Sequence, residues 1–493
     1  MFTVTMPSDV SFLPILPSAI LAMTAIVVIL ADIFLLHDKQ KHWTAWLAMI
    51  GLGFGLMVTL AMFSGLNHAS IPSFGGFVVL DDFALFVDII VIVVTMLAVL
   101  MSAEYLVEQG IEHSEFYVLL LFAAAAMMLM GTSAELITLW VSLETFSIAL
   151  YVLAAYARPK VESEEAGLKY FFLGAFAGAF LLYGIALLYA ATGTTGLAEI
   201  GRFIQANGLA ASGNALILLG LGLVLVGLSF KSAFVPFHQW TPDVYEGAPT
   251  AVTAFMATAT KAAAFAALLR VLLVAFPAPQ MASTWTVALA LIAVLTMLGG
   301  NLMALAQNNI KRMLAYSSIA QAGYVLVAVV AGASSAAMFY ILAYAMMTLG
   351  AFAVVISLNN YGSEMLDMDS YAGLAGRAPG RALALALFMF ALTGFPPLAG
   401  FVGKWFIFSA AISTGWTWLA LIGALASVIS AAYYLRLVVL MYMRPAPAEA
   451  QPLGAPTGGA AWALGIAAVA VLLLGLFASP IVNMAQSSLL ALR

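Results

Sequence analysis

The chain has 493 residues, of which 65% are hydrophobic and 8% charged, with a formal net charge of −5 and a mean hydropathy of +1.09. That composition excludes an ordinary soluble domain and, with so few basic residues, a nucleic-acid-binding face. There is no cysteine, which excludes disulfides, thiolate-held iron–sulfur clusters and cysteine zinc sites.

Long continuous apolar runs, in place of short alternating segments, predict an all-α polytopic membrane protein and not a β-barrel. Polar residues, Pro and Gly divide the runs into about fourteen spans of the ~20 residues that a bilayer requires. The first three cover 12–36, 43–64 and 83–107; the first lacks the basic lead of a signal peptide and reads as an uncleaved helix. Then come 115–131, 134–157, 166–192, 212–240 and 249–276. They are followed by 281–306, 311–331, 335–358, 382–413 and 416–443, and 461–490 closes the chain. Residues 1–493 thus form a single integral membrane domain in contact with lipid.

Basic residues set the orientation. With the N-terminus outside, loops after odd-numbered spans hold Lys39, Lys41, Arg158, Lys160, Lys169, Lys311, Arg312, Arg377 and Arg381, with Arg436 and Arg444 around the last. The opposite side holds Arg202 and Arg493. This asymmetry predicts an even number of spans with both termini outside; the Ala/Gly-rich composition suits a bacterial cytoplasmic membrane, which would make that side periplasmic, with an organelle membrane as the alternative.

Two spans are interrupted. The seventh meets Pro236, His238, Trp240 and Pro242 soon after Lys231, and the twelfth contains Thr393-Gly-Phe-Pro-Pro-Leu-Ala-Gly400. Non-helical backbone at membrane depth survives where protein or a water-filled cavity satisfies it. Two broken helices separated by five spans predict approximate inverted five-helix repeats, 115–276 and 281–443. Helices within 1–107 and the closing helix 461–490 flank them.

Ionisable residues inside spans mark the candidate chemistry. A lysine at a helix centre costs ~2.5–3.5 kcal/mol on insertion scales, and Lys231, Lys261 and Lys404 all lie far from span ends. Glu144 reads as the carboxylate at mid-membrane, with Lys231 as its partner; the same pair also fits a static packing role. Lys404 follows a Gly/Pro break, where it either carries protons or bonds the freed carbonyls. His238 reads equally as a relay or as a cap on the broken backbone. Arg270 is expected to snorkel and Asp88 to lie at the interface. Glu162, Glu164 and Glu165, and Glu364, Asp367 and Asp369, are expected to be solvated, and Gly174-Ala-Phe-Ala-Gly178 to be a helix contact. No Walker or dinucleotide motif appears, which places any redox or ATP chemistry in other chains.

The stretch Lys231-Ser-Ala-Phe-Val-Pro-Phe-His-Gln-Trp-Thr-Pro-Asp-Val-Tyr-Glu-Gly-Ala-Pro-Thr250 resembles the signature of the antiporter-like subunits of respiratory complex I, in the version of their N branch. Leu143-Glu-Thr-Phe-Ser147, Asn309-Ile-Lys-Arg-Met-Leu-Ala-Tyr-Ser-Ser318 and Gly400-Phe-Val-Gly-Lys-Trp405 resemble further motifs of the same family, so the likeness covers essentially the whole chain. It implies a proton-translocating subunit of an NADH:quinone oxidoreductase. Glu144 and Lys231 would be a coupled pair, Lys261 the central proton carrier and Lys404 the end of the channel. It also implies partner membrane and peripheral subunits that hold FMN, iron–sulfur clusters and quinone, with no cofactor or metal in this chain. Relatives often carry a histidine in the tenth helix where this chain has Gln321, so the link from Lys261 to Lys404 would need water, Tyr316 or Tyr324.

The physical logic is that desolvation eases a proton off a buried lysine while a nearby carboxylate holds it on. Moving a charge against the membrane potential takes ~2.3 kcal/mol per 100 mV, which an external redox reaction must supply. A cation/proton antiporter of the multisubunit sodium-extrusion type and a non-pumping assembly scaffold fit the same residues. A related photosynthetic or hydrogen-evolving complex also fits, since other chains read the electron donor.

Overall fold

The structure is a computed structural model that describes residues 10–34, 42–158, 160–207, 214–277, 279–359, 363–447, 453 and 458–488. Lys39, Lys41, Arg493 and both chain ends, used above for orientation, lie outside the described residues. Among the described residues thirteen helices are long and apolar enough to cross a bilayer. Two shorter apolar helices, Pro379–Thr393 and Ala399–Ser413, together make the twelfth passage and complete the fourteen expected.

In chain order, α1 (Leu16–Phe34) and α2 (His42–Gly65) lead to a small antiparallel hairpin, β1 (Ile71–Ser73) and β2 (Val78–Leu80), with Ile71 opposite Leu80. The hairpin was not expected; strands this short carry too little alternation to be read beside strong helical runs. Then follow α3 (Asp82–Glu108), α4 (Glu115–Thr132), α5 (Leu136–Ala154) and the long α6 (Val161–Thr192). A short amphipathic α7 (Leu197–Asn207) precedes α8 (Asn214–Ser232), α9 (Trp240–Gly247) and α10 (Thr250–Arg270), which continues as a π turn over Val271–Ala275. The remainder is α11 (Pro279–Leu305), α12 (Ile310–Val330), α13 (Ser334–Ser357), a single turn α14 (Leu374–Arg377), α15 (Pro379–Thr393), α16 (Ala399–Ser413), α17 (Thr417–Met443), α18 (Gly458–Leu476) and α19 (Ser479–Ser488). The predicted closing span is therefore two helices, since Pro480 supplies no N–H to continue α18.

Small residues decide which helices lie inside. Helix α10 is almost entirely Ala, Thr and Phe around Lys261, which lets neighbours approach closely, and every residue from Thr250 to Arg270 is buried. Helices α12 and α13 are nearly as enclosed, whereas α2 and α18 present mostly exposed apolar side chains, as lipid-facing helices do. The three enclosed helices form the axis of the molecule.

Both interruptions have local causes. Helix α8 ends where Ala233 adopts the left-handed region (φ 61°), and Pro236 then removes a donor and restricts Val235. Helix α15 ends on Gly394 at φ 98°, a conformation that glycine reaches without cost, before Pro396 and Pro397. The Val235–Pro236 and Pro396–Pro397 peptides are cis.

Three charge expectations are corrected. Arg270 does not snorkel: it is 3% exposed and makes a bidentate pair with Asp81 (2.8 Å for each bond), while its Nε donates to Gly131 O at 2.8 Å. Asp88 is 1% exposed and not at an interface, because α3 is enclosed on all sides by α2, α4, α10, α13 and α18. Glu364 is not solvated: it accepts from Tyr105 OH at 2.6 Å and Thr250 Oγ1 at 2.5 Å and lies 3.6 Å from the Nζ of the fully buried Lys311.

Candidate proton pathway

Lys231 occupies the last turn of α8, where its Nζ donates to Tyr170 OH at 3.1 Å and lies over the rings of Tyr170, Phe146 and Tyr151 at 4.7, 5.0 and 5.6 Å. Rings facing a cation in this way stabilise it without neutralising it. Trp240, the first residue of α9, stacks on Tyr170 at 4.5 Å and donates its indole N–H to Phe230 O in the last turn of α8, a carbonyl that also accepts from Ala233 N. The tryptophan of the signature stretch thus fastens the broken helix to the cage around Lys231.

Glu144 sits on the neighbouring face of α5, half-buried. It makes no ion pair or hydrogen bond among the described residues, and Lys231 turns to tyrosine instead. The two remain within electrostatic reach. The small-residue stripe of α6 makes room for this arrangement: a Cβ on Gly174 would meet the Tyr151 hydroxyl, and one on Gly178 would meet Glu144 Oε1.

Lys261 lies at the middle of α10, 3% exposed, and donates to Ser232 O at 3.1 Å and Ser318 O at 2.8 Å. Ser232 ends α8, so its carbonyl is free because that helix stops there. The hydroxyls of Ser232 and Ser318 are buried beside it without partners among the described residues.

Lys404 repeats the pattern on the second break. Its Nζ donates to Leu392 O at 3.1 Å and Thr393 O at 3.0 Å, the last carbonyls of α15, and to Ser427 Oγ at 2.7 Å, with the ring of Tyr324 at 4.5 Å. Between the two lysines stands Gln321. Its amide donates to Leu392 O at 3.2 Å and to Tyr434 OH at 3.1 Å, and its carbonyl accepts from Tyr340 OH. Tyr434 in turn bonds Ser317. Leu392 O is therefore shared by Gln321 and Lys404.

Other sequence candidates fall differently. Tyr316 is buried but bonds none of Lys261, Gln321 and Lys404; Tyr324 contributes its ring to Lys404 and receives a bond from Asn301 at 3.3 Å. His238 lies in the first break, its Nδ1 without a partner among the described residues, while its carbonyl accepts from Thr241 N at 2.9 Å. Sequence reasoning missed Tyr340, Tyr434, Ser317 and Ser427. The signal was available: tyrosines and serines at mid-span depth are costly without partners.

A polar clamp holds α9. Arg312 pairs with Asp243 at 2.8 Å and Glu246 at 2.6 Å, and Lys169 of α6 pairs with Asp243 at 2.7 Å. Asp243 and Glu246 belong to the signature stretch, so that stretch encodes a mechanical tie as well as the break itself.

Residues 133–430 match the family model described as NADH:quinone oxidoreductase/Mrp antiporter, transmembrane. A relative from Trichlorobacter lovleyi named NADH-quinone oxidoreductase subunit N is 46% identical over 96% of this chain and 96% of its own. The chain belongs to this subunit N family. A chain of respiratory complex I from Thermus thermophilus, solved with bound aureothin, is 36% identical with a TM-score of 0.80 over 96% of this chain and 100% of that one. A chain of the Mrp complex from Dietzia sp. superposes with a TM-score of 0.83 over 96% of this chain and 97% of that one, at 21% identity, which shows a common fold. Among the described residues no group of three His, Asp or Glu side chains is placed to hold a metal ion. The subunit N fold accordingly presents lysines, tyrosines and freed carbonyls along its axis.

Proposed function

We propose that this chain is a proton-translocating membrane subunit of an NADH:quinone oxidoreductase, with the redox chemistry, FMN, iron–sulfur clusters and quinone in its partners. The observation that carries the reading is the placement of Lys261 and Lys404. Each is a buried amine at mid-membrane, bonded to carbonyls that a broken helix leaves free, Ser232 O for Lys261 and Leu392 O and Thr393 O for Lys404, with no carboxylate in contact among the described residues. Glu144 and Lys231 act as the input pair, coupled through space; Lys261 is the central carrier; the Tyr340–Gln321–Tyr434 network links it to Lys404. His238 is a lower-ranked relay, and Tyr316 supports α12 from outside the network. The breaks supply the element with two arrangements that such a relay needs, in two inverted units over 115–276 and 281–443. The chain lies in a bacterial cytoplasmic membrane with both termini on the periplasmic side. The near-full-length relatedness to subunit N favours this reading over sodium-extruding antiport.

The test is Glu144→Gln in the assembled complex. In inverted vesicles, NADH-driven proton uptake and NADH:quinone turnover are measured together with assembly. A sharp fall in uptake or turnover with assembly intact supports the relay. Normal values for both would leave the scaffold reading in its place.

A further inference from the structure

We propose that the Tyr344 hydroxyl, on α13, carries protons from Lys261 past Gln321 toward Lys404, through a water held between Tyr344 and Ser318. The proposal rests on the reading of Lys261 and Lys404 as carriers and adds the step that joins Lys261 to the tyrosines around Gln321.

The register between α12 and α13 puts Tyr344 at that step. The two helices run antiparallel, as consecutive spans joined by three residues, and Tyr340 bonds Gln321 across them. Three residues back along α12 stands Ser318, and four residues on along α13 stands Tyr344, each on the same face as the bonded residue. The contact between Gln321 and Tyr340 is thus repeated one turn nearer the start of α12, with Ser318 opposite Tyr344. Ser318 in turn gives its carbonyl to Lys261 at 2.8 Å, so one residue touches the carrier and faces the tyrosine.

This second contact differs from the first in making no bond. Ser318 is 1% exposed and Tyr344 3%, and neither hydroxyl has a partner among the described residues. The two hydroxyls nevertheless lie close together, and the buried Tyr245 of α9 lies beside both. Three hydroxyls that converge in this way supply the roughly two to four polar partners that a buried water requires. A tyrosine placed for packing alone would be served better by phenylalanine, since a buried hydroxyl without a partner destabilises a fold.

Beyond Tyr344, hydroxyls continue to the second lysine. Tyr344 is within electrostatic reach of Tyr434, and Tyr434 of Tyr324. Tyr324 lies close to Ser427, whose Oγ accepts from Lys404 Nζ at 2.7 Å. Gln321 takes no proton itself. Its two amide N–H groups go to Leu392 O and Tyr434 OH and its carbonyl to Tyr340, and a carboxamide does not titrate, so it holds the tyrosines in place.

The transfer balances without any further reactant. An N–H bond of the Lys261 ammonium breaks and an O–H bond forms on the water, which passes one of its own protons to the Tyr344 oxygen. Tyr344 gives up its phenolic proton to the next hydroxyl, and the last one, Ser427, forms an N–H bond on the neutral Lys404 amine. Each oxygen keeps its original number of protons; Lys261 ends neutral and Lys404 charged.

The experiment is Tyr344→Phe in the full complex, with Lys261→Arg and Tyr371→Phe alongside. Assembly, thermal stability and NADH-driven proton uptake in inverted vesicles are measured for each. Y344F loses no protein bond, so it is expected to assemble with stability unchanged or raised and to take up protons roughly tenfold more slowly, even with partial bypass by water. Y371F loses a bond to Met365 O outside the relay and is expected to lower stability while uptake stays normal. If K261R abolishes uptake while Y344F pumps normally, the relay stands and the Tyr344 step is overturned. If K261R and Y344F both pump normally, the relay itself fails and the step with it. A fall in Y344F uptake that comes with a loss of stability like that of Y371F also overturns the step, because the hydroxyl would then be structural. Should Y344F not assemble, Ser318→Ala decides: it removes the other hydroxyl of the water site and keeps the Ser318 carbonyl on Lys261. Slowed uptake in S318A supports the step, and normal uptake overturns it.

Discussion

Lys261 offers the sharpest separation of a structural role from a proton-carrying one. Lys261→Met removes the donor from Ser232 O and Ser318 O; Ser318 O keeps its place in the unbroken α12, so the one helix-end carbonyl, Ser232 O, is left unsatisfied at about 1–3 kcal/mol before the gain from no longer burying an amine. Lys261→Arg keeps donors in place but adds volume to a site only 3% exposed, an overpacking cost of about 1–3 kcal/mol. Both variants therefore lose a moderate and comparable amount of stability. Their protonation differs completely: arginine stays charged at any accessible pH, whereas methionine never carries a proton. A carrier must alternate, so both are expected to lower proton translocation by about 10²-fold or more with assembly retained. The assay is NADH-driven proton uptake in inverted vesicles beside NADH:quinone turnover and native-gel assembly. A K261R complex that assembles fully and pumps at the wild-type rate would refute the assignment, since a permanently charged side chain would then suffice.

Two further outcomes are expected. Gly178→Ala brings a methyl onto Glu144 Oε1 and displaces the carboxylate, so proton uptake falls severalfold without loss of assembly, whereas Gly222→Ala, with nothing within 4 Å, leaves it unchanged; equal effects from the two would contradict the role given to that contact. Glu364 provides a pH-dependent tie. Burial opposes its charge, but Lys311, the bonds from Thr250 and Tyr105, and Lys160 together hold its carboxyl below the ordinary glutamate range. A depressed carboxyl stabilises the fold above its unfolded pKa, ~4.3, and the contribution is lost as pH falls through the lower folded value. Glu364→Gln is thus expected to reduce thermal stability at neutral pH and to converge with wild type below about pH 4; a gap independent of pH would show that its charge is not involved.

Much of the molecule was legible because membrane physics leaves few options. Hydropathy, the asymmetry of basic residues and two Pro-rich interruptions gave the spans, the two breaks and the three mid-membrane lysines. What could not be read were contacts that depend on packing between distant helices. Arg270 reads as a span-end residue until α3 delivers Asp81 to it from 189 positions away. Glu364 reads as a loop charge until Lys311, Tyr105 and Thr250 close around it. The tyrosines around Gln321 come from α13 and α17, and no local pattern marks them as facing one another. The Glu144–Lys231 pair shows the limit most clearly: opposite charges at similar depth suggested contact, and the fold interposes an aromatic cage.

The partners of the lysines explain how one side chain can hold and release a proton without disturbing the fold. A carboxylate in contact would fix the charge on the ammonium, and releasing the proton would leave a buried anion alone, at a cost of several kcal/mol. Backbone carbonyls impose no such lock. An ammonium offers three N–H donors and a neutral amine two, so the two acceptors of Lys261, Ser232 O and Ser318 O, are satisfied in either state. Lys404 has three acceptors, and the third is a serine hydroxyl, which can turn from accepting to donating when the amine becomes neutral. Carbonyls of this kind are not normally free within a membrane, since an intact helix uses all of them. Ser318 O belongs to the unbroken α12, but Ser232 O, Leu392 O and Thr393 O are free because α8 and α15 stop at Ser232 and Thr393. The prolines and the lysines are therefore parts of one device: the break supplies acceptors indifferent to charge, and the lysine placed against them is the group that can change it.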